Sequence, residues 1–440
     1  MKLDFNRVLP IFALTFVDVL GLTIVLPLLH LYAAAYGASP LEIGLVAATF
    51  PLAQLVGVPV MGALSDRFGR KPLLLISQVT TCLSFVLLGL ADSLLLIILS
   101  RVIDGLFGAN LATAQAALSD VTSEENRAQG LGLTGAAFGL GFIFGPLIAI
   151  LTLELSDNLS LPAFTAAAYS FVSILLTLFL FKETLPPGKR QHTKLLDSAS
   201  PLIIFQMLRR PAINAALVLM FAQQVIFFGF ESLLGLFTLT RLGLLGQGNA
   251  VIFLLVGVVL VTVQGRYIGP WSRKYGEHRL IMMALALLAV GLILVAITPE
   301  QPHPFYVERI TANRLIEQAS PSSTEAIIGQ IAVDLPDEAN RGVLGFIWML
   351  IAIVPVSIGA GLIRPSLNSL MTRQVSKQEY GRVLGVSSAL VSAANACAPL
   401  LAGLLFQHYG STLPFLAGGL VMGALLLVSL QWIKPAAQTA

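Results

Sequence analysis

The sequence predicts an all-α polytopic membrane protein with twelve transmembrane helices in two pseudo-symmetric six-helix bundles. Three observations lead there. Of 440 residues, 56% are hydrophobic and 11% charged, whereas soluble domains carry about a quarter charged residues. Twelve apolar runs reach the roughly 20 residues that a helix needs to cross hydrocarbon. A charged stretch between two of those runs, Gly62 to Lys71 (GALSDRFGRK), returns in degenerate form as GPWSRKYGEH at Gly269 to His278, 207 residues later. Gly62, Ser65 and Gly69 thereby match Gly269, Ser272 and Gly276. The chain reads as two related halves.

Taken in order, span 1 covers residues 8–29, span 2 42–64, span 3 73–91, span 4 94–118, span 5 128–152 and span 6 162–181. Spans 7 to 12 cover 212–237, 249–270, 279–297, 343–370, 382–406 and 414–433. This makes 1–181 the N-terminal bundle, 182–211 a basic, proline-bearing linker, and 212–440 the C-terminal bundle. With the N-terminus inside, 20 of the 26 lysines and arginines fall in inner segments and four in outer ones. The positive-inside rule then puts both termini in the cytoplasm, and a cell (inner) membrane is the expected location. Within 62–71, Gly62 is expected to allow close helix contact and Gly69 a tight turn.

One outer segment breaks the symmetry. Arg127 and Gly130, opening span 5, match Arg382 and Gly385, opening span 11, at an offset of 255 instead of 207, and the 45 residues of 298–342 account for nearly all of the difference. Two readings stand for that loop: an amphipathic helix over Ile310–Ala319 lying across the exit, or a variable surface loop without direct function.

Several classes are excluded. No G-x-x-x-x-G-K-[ST] phosphate loop occurs, and the linker is too short for a nucleotide domain, so ATP is not the expected energy source. His30, His192, His278, His303 and His408 form no ligand or triad spacing, so neither an enzyme, a metal site nor a cofactor is expected, and nucleic acid is not an expected partner. Cys82 and Cys397 lie inside apolar runs and suggest no disulfide framework. The first run is too long for a cleaved signal and carries Asp18, which marks a retained span. Asn158-Leu159-Ser160 matches the glycosylation triplet, a pattern common by chance.

Five ionisable residues lie well inside the spans: Asp18 in span 1, Arg101 and Asp104 in span 4, Glu231 in span 7 and Arg364 in span 10. Each costs about 2–3 kcal/mol or more unless paired or hydrated, so they must meet water or one another. If the spans form four repeats of three, all five sit in the first member of a repeat. Helical spacing gives four stripes: Leu14, Asp18, Gly21 and Val25; Arg101, Asp104, Gly108 and Gln115; Met220, Gln224, Phe227 and Glu231; Ser357, Ala360, Arg364 and Asn368. Polar at intervals, they imply a shared cavity in which Gln224, Phe227, Glu231, Trp348, Arg364 and Asn368 are candidate substrate residues. Asp18 and Asp104 both lie about 15 Å from a helix end, at the midplane.

Arg101 is an i,i+3 partner for Asp104. Burial and a neighbouring arginine pull a carboxylate's proton affinity in opposite directions, which lets proton occupancy follow cargo or conformation. Asp18 and Arg101, with Asp104 as partner, are therefore the candidates for proton coupling. A static pair holding span 4 to its neighbours is the other reading. Glu231 is expected near the outer boundary of its span, where surface hydration competes with a cavity role.

The pattern G-x-L-S-D-R-x-G-R-K at 62–71 strongly resembles the loop after the second helix of major facilitator superfamily transporters. LSRVIDGLFGA at Leu99 to Ala109 resembles the helix 4 motif whose arginine is tied to proton coupling, carried here by Arg101 with Gly105 and Gly108, and Asp104 stands where glutamine is frequent. GFIFGP at Gly141 to Pro146 is similar to the helix 5 antiporter motif, although Ala149 and Ile150 replace two further glycines. Physically, Gly141 and Gly145 make a small-xxx-small contact and Pro146 removes a backbone donor, so the helix packs closely and kinks; an ordinary packing pair is the plainer reading.

Over nearly the whole chain except the outer loop, the sequence resembles the drug:proton antiporter branch, in the style of tetracycline exporters. The resemblance implies alternating access and a conformational gate formed by Asp66, Arg67, Gly69, Arg70 and Asp120. In it, Asp66 faces the start of span 11, Gln378 to Arg382, in one conformation, with Arg67 and Arg70 in reach of Asp120. A solvated positive-inside loop is the alternative. The expected function is export of small organic or drug-like compounds in exchange for protons, by a monomer in a lipid bilayer. The alternatives are a sugar or metabolite transporter of the same fold and a non-transporting membrane sensor.

Overall fold

The structure is a computed structural model describing residues 5–122, 127–156, 158–190, 207–210, 213–317, 333–375 and 380–432. All regular structure among them is helical. Eleven helices are long and apolar enough to cross a membrane. One of them, Gly246–Ala296, has 51 residues and at 1.5 Å per residue would extend about 77 Å, more than twice the hydrocarbon thickness. Its backbone breaks at Gly276, with φ 74° and ψ 160°. It therefore supplies two crossings, and the twelve expected spans are present.

The described helices fall into two compact units. Among the described residues, the first holds 5–190 together with 245–257, 309–317 and 333. Its helices are α1 (Phe5–Val25), continued by a 3₁₀ turn at Leu26–Leu28 and α2 (Leu29–Ala34), then α3 (Pro40–Phe68), α4 (Arg70–Gly89), α5 (Leu94–Phe107), α6 (Asn110–Val121), α7 (Arg127–Leu155) and α8 (Ser160–Phe179). The second holds α9 (Asn214–Leu242), the later part of α10 (Gly246–Thr262), α11 (Ile268–Ala296), α13 (Leu344–Arg373), α14 (Tyr380–Tyr409) and α15 (Thr412–Trp432). The helix α12 (Glu308–Glu317) lies in the 298–342 segment. Inside the first unit α1 packs on α7, α4 on α8 and α4 on α5; inside the second, α9 packs on α14, α11 on α15 and α11 on α13. These are the same three pairings one repeat apart, so the two units share one internal plan.

Local chemistry sets the boundaries. A capping box opens α3: Ser39 N–H donates to Glu42 Oε2 at 2.7 Å and Ser39 Oγ accepts from Glu42 N–H at 3.4 Å, with Pro40 in the first turn. Asn158 Oδ1 accepts from Ser160 N–H at 2.8 Å, so the asparagine of the glycosylation triplet closes the turn that starts α8. Span 1 is longer than 8–29 and bends at Leu26–Leu28, where Pro27 removes a donor. Pro146 stays within an unbroken α7. Its missing N–H leaves Phe142 O, four residues back, without a helical partner, and Gly257 lies so close that a Cβ there would stand 2.5 Å from that oxygen.

Close packing follows the glycines of α7. A Cβ on Gly141 would stand 2.5 Å from Val19, and one on Gly145 would overlap Thr23, so both glycines let α7 lie against α1. Gly62 behaves otherwise. Nothing lies within 4 Å of where its Cβ would be, which corrects the expected close contact.

The 298–342 segment is also different from a free surface loop where it is described. Tyr306 is 1% exposed. His303 N–H donates to Leu242 O at 3.1 Å, Gly342 N–H donates to Pro302 O at 2.8 Å, and Gln301 Oε1 accepts from Leu344 N–H at 3.0 Å. Residues 298–308 and 333–343 thus form a stem docked on the ends of α9 and α13. The helix in the loop is Glu308–Glu317, earlier than Ile310–Ala319, of which 318–319 lie outside the described residues.

The contrast between the glycines is measurable. Gly145→Val forces a branched side chain into Thr23 and should destabilise the first unit by about 1–3 kcal/mol. Gly62→Ala, inside α3 and free of any clash, should raise the thermal midpoint of the detergent-purified protein slightly. The docked stem carries its own prediction. Burial and the neighbouring Arg341 hold the His303 imidazole below its ordinary pKa. Its contribution to docking is therefore present above the ordinary histidine value and lost as pH falls. Amide protection at 298–308, corrected for the intrinsic exchange rate, should fall between pH 7 and 5, and His303→Gln should flatten that fall.

Candidate functional site

Span 4 is not the continuous helix expected over 94–118. It stops at Phe107 and restarts at Asn110. The turn is tight, with Gly108 N–H donating to Asp104 O at 2.6 Å, and a Cβ on Gly108 would overlap that same carbonyl. Ser77 Oγ donates to the freed Phe107 O at 2.6 Å. Discontinuous backbone at this depth is tolerated only where protein or water satisfies it. The break also removes Gln115 from the stripe of Arg101 and Asp104.

What the break produces is Asn110, which the sequence reading missed. Its amide donates to Asp18 Oδ1 at 3.0 Å and to Thr81 Oγ1 at 3.3 Å. Thr81 Oγ in turn donates to Asp104 Oδ1 at 2.8 Å. Arg101 Nη1 stands 3.6 Å from Asp104 Oδ2, Nη2 donates to Ser84 Oγ at 3.3 Å, and the guanidinium carbon lies 5.4 Å from the Phe85 ring centre. Arg101 and Asp104 are each 3% exposed. The three predicted charges Asp18, Asp104 and Arg101 are therefore joined through two neutral side chains on α4 and α6. Asn110 Oδ1 is buried without a hydrogen-bond partner. An asparagine and a threonine inside apolar runs were the available signals.

At the 62–71 loop the structure selects among the candidates. Gly69 has φ +108°, which favours glycine. The buried Arg70 gathers the cluster: Nη1 donates to Ser65 Oγ and Asp66 Oδ1, both at 2.6 Å, and Nε donates to Asp120 Oδ2 at 2.9 Å. Arg67 is exposed, its guanidinium carbon 5.3 Å from the Phe68 ring centre. The residue that reaches Asp120 is thus Arg70, and Arg67 is corrected. Glu183, just after span 6, was not anticipated; its carboxylate accepts from Arg70 N–H at 2.9 Å and Lys71 N–H at 3.1 Å, capping α4. The proposed target of Asp66 at Gln378 to Arg382 lies partly outside the described residues.

The second unit repeats this cluster with its charges exchanged. Gly276, the match of Gly69, also has positive φ, at 74°. Glu277 stands where Arg70 stands one repeat earlier. Its Oε1 accepts from Ser272 Oγ at 3.1 Å and Ser369 Oγ at 3.0 Å and pairs with Arg373 Nη2 at 2.7 Å. Glu277 is buried while the Arg373 side chain is 65% exposed.

The remaining cavity candidates separate into satisfied and unsatisfied groups. Gln224 Nε2 donates to Asn395 Oδ1 at 2.7 Å, Ser387 Oγ donates to Asn368 Oδ1 at 3.1 Å, and Trp348 Nε1 donates to Leu294 O at 2.8 Å. Trp348 is thereby tied to α11. Phe227 stacks obliquely on Phe230, ring centres 6.0 Å apart. The helix α9 runs five residues beyond the expected end at 237, so Glu231 lies about 16 Å from its end rather than near the boundary.

Two helical units on one plan, with charged networks at mid-membrane depth, define a polytopic membrane transporter. The sequence pattern of the Major Facilitator Superfamily matches residues 11–307 and 341–440, and this chain belongs to that family. The unmatched gap falls within the 298–342 segment. The chain is 26% identical over 402 residues to the class B tetracycline resistance protein of Escherichia coli, covering 90% of this chain and 87% of that one. It is 30% identical over 287 residues to the class E protein of Escherichia coli (64% and 70% covered) and 25% identical over 447 residues to Multidrug resistance protein 2 of Bacillus subtilis (strain 168), with 98% and 97% covered. Among solved structures, the human organic anion transporter MFSD10 (TETRAN) superposes with TM-score 0.68 at 21% identity, covering 99% of this chain and 100% of that one. The nucleoside transporter NupG gives TM-score 0.69 at 13% identity, with 98% and 100% covered; both show the common fold.

The two charge clusters differ in burial, and truncation should report it. Arg373→Ala leaves the buried Glu277 carboxylate without its countercharge and should cost about 3–5 kcal/mol. Arg70→Ala leaves Asp66 and Asp120, whose side chains are 43% and 20% exposed and can hydrate, and should cost about 1–2 kcal/mol. Thermal unfolding of both variants in one detergent checks the order.

Proposed function

We propose that this chain exports drug-like amphiphilic compounds from the cytoplasm in exchange for protons, by alternating access. The observation that carries the reading is the hydrogen-bonded path from Asp18 through Asn110 and Thr81 to Asp104 and Arg101. The tetracycline and multidrug resistance relatives support cargo of the drug-like class. A cell (inner) membrane, cytoplasmic termini and a monomeric carrier complete the proposal, with residues 1–181 and 212–440 as its two bundles joined by the 182–211 linker.

Asp18 is the proton carrier in this scheme. Ionised, it accepts from Asn110; protonated, it becomes a donor. The donor then needs an acceptor, and Asn110 Oδ1 is buried and unpartnered beside it. Turning the amide delivers that oxygen to Asp18 and withdraws the N–H from Thr81. Thr81 then holds Asp104 differently, and Asp104 its pair with Arg101. Proton occupancy is thereby converted into a rearrangement at the broken middle of span 4. Gly141, Gly145 and Pro146 keep α7 close enough to α1 to transmit it. The cluster of Asp66, Gly69, Arg70 and Asp120 serves as the cytoplasmic gate, with Arg67 on its solvated rim, and Gln224, Phe227, Glu231, Arg364 and Asn368 face cargo.

Energy comes from the proton. One charge moving down 100 mV releases about 2.3 kcal/mol, enough for modest accumulation outside. In proteoliposomes with an imposed pH gradient, Asp18→Asn should abolish gradient-driven transport while leaving membrane insertion intact. Transport undiminished in that variant would remove Asp18 from the mechanism.

A further inference from the structure

The second unit contains two opposite charges that no neighbour neutralises. Glu231 on α9 and Arg364 on α13 form no hydrogen bond or ion pair with any described residue, although the amides around them are paired. The two helices pack together and run antiparallel. Leu242, the last residue of α9, meets Gly345 near the start of α13, where a Cβ would stand 2.7 Å from Leu242 Cδ2. Measured from that shared level, Glu231 lies eleven residues along α9 and Arg364 nineteen along α13, a difference in height of about 12 Å. Helical side chains lean toward their own N-termini. Glu231 therefore leans toward the level of Arg364 and Arg364 toward that of Glu231, which narrows the gap.

Glu231 is half-buried, and the position of Arg364 on its helix can be set against the apolar stripe of α13. Ile347 and Ile351, 48% and 61% exposed, mark the lipid-facing stripe of α13. Arg364 is exposed as well, yet it lies about 100° around the helix from Ile347 and about 140° from Ile351 at roughly 100° per residue. Its exposed surface is therefore on the watery side. Phe227 lies one helical turn from Glu231 and offers an aromatic wall.

Taking the proton-driven exporter reading as given, we infer that the cargo is a dipolar amphiphile. Its basic group meets Glu231, its acidic group meets Arg364, and its apolar body lies on Phe227. A cation alone leaves the arginine uncompensated, and an anion alone leaves the carboxylate so; one molecule with both groups answers both. The planar fork of Arg364 suits a carboxylate or a comparable planar anion.

The test uses three dansylated probes with one skeleton: an aminocarboxylate whose ammonium and carboxylate are six bonds apart, its methyl ester (cation only) and its N-acetyl derivative (anion only). In wild-type proteoliposomes the aminocarboxylate should show a KM at least tenfold below either derivative. Glu231→Gln should raise KM about tenfold for the aminocarboxylate and the ester and leave the N-acetyl acid unchanged. Arg364→Gln should do the reverse, sparing the ester.

Wild-type transport of the ester as efficient as that of the aminocarboxylate, unaffected in Arg364→Gln, would overturn the cargo assignment while exporter activity stood. Binding of the same probes to the purified protein, read by anisotropy, separates the two claims. Selective binding of the aminocarboxylate without gradient-driven uptake upholds the cargo class and removes the exchange reading. Equal binding of all three overturns the cargo class whatever transport shows.

Discussion

Hydrocarbon does not solvate charge, and the structure is arranged around that constraint. Asp18, Arg101 and Asp104 persist at mid-membrane depth because each finds a dipole or a countercharge: Asn110 for Asp18, Thr81 and Arg101 for Asp104, Ser84 and the Phe85 ring for Arg101. Satisfying them requires a helix that stops. An unbroken span 4 would point residue 110 elsewhere, and the carboxylate on α1 would lose the amide that donates to it. The local cost of the break at Gly108 is offset by the bond from Ser77 and by the network it completes. Backbone irregularity and buried charge are thus one feature.

The same constraint explains why the two units can share a plan and still differ. At corresponding ends, a glycine of positive φ lets the chain turn, and the next residue, itself buried, anchors an ion pair. In one unit the anchor is Arg70 with Asp120, in the other Glu277 with Arg373. Exchanging the signs preserves the pairing, so the turn survives as a structural repeat although its sequence has decayed. Away from this turn the units part company: the first closes its internal charges into a network, and the second leaves Glu231 and Arg364 open.

Much of this was legible in the sequence, for identifiable reasons. The twelve spans followed from length and apolarity, and the repeat from Gly69 and Gly276, whose backbone conformation few other residues adopt. The five membrane charges stood out because hydrocarbon makes them expensive. Neutral partners carry no such signal, and Asn110 and Thr81 were passed over. The break in span 4 was hidden because Gly108 and Ala109 sit in an apolar run that reads as uninterrupted. Glu183 and Glu277 were missed as ordinary loop charges, since only the folded chain brings them to Arg70 and Arg373. Gly62 was misjudged: its motif position suggested a contact that geometry does not supply. Trp348, chosen for its place on span 10, spends its one donor on Leu294.

The central claim is that cargo and proton compete for the state of Asp18. The most direct measurement is proton release on cargo binding to the detergent-purified protein, followed in weakly buffered solution with a pH indicator dye. The account predicts a burst of protons from the wild type that is absent in Asp18→Asn, although that variant still binds the compound. Release of equal size in Asp18→Asn, or binding by the wild type with no release at any pH between 5 and 8, would contradict it.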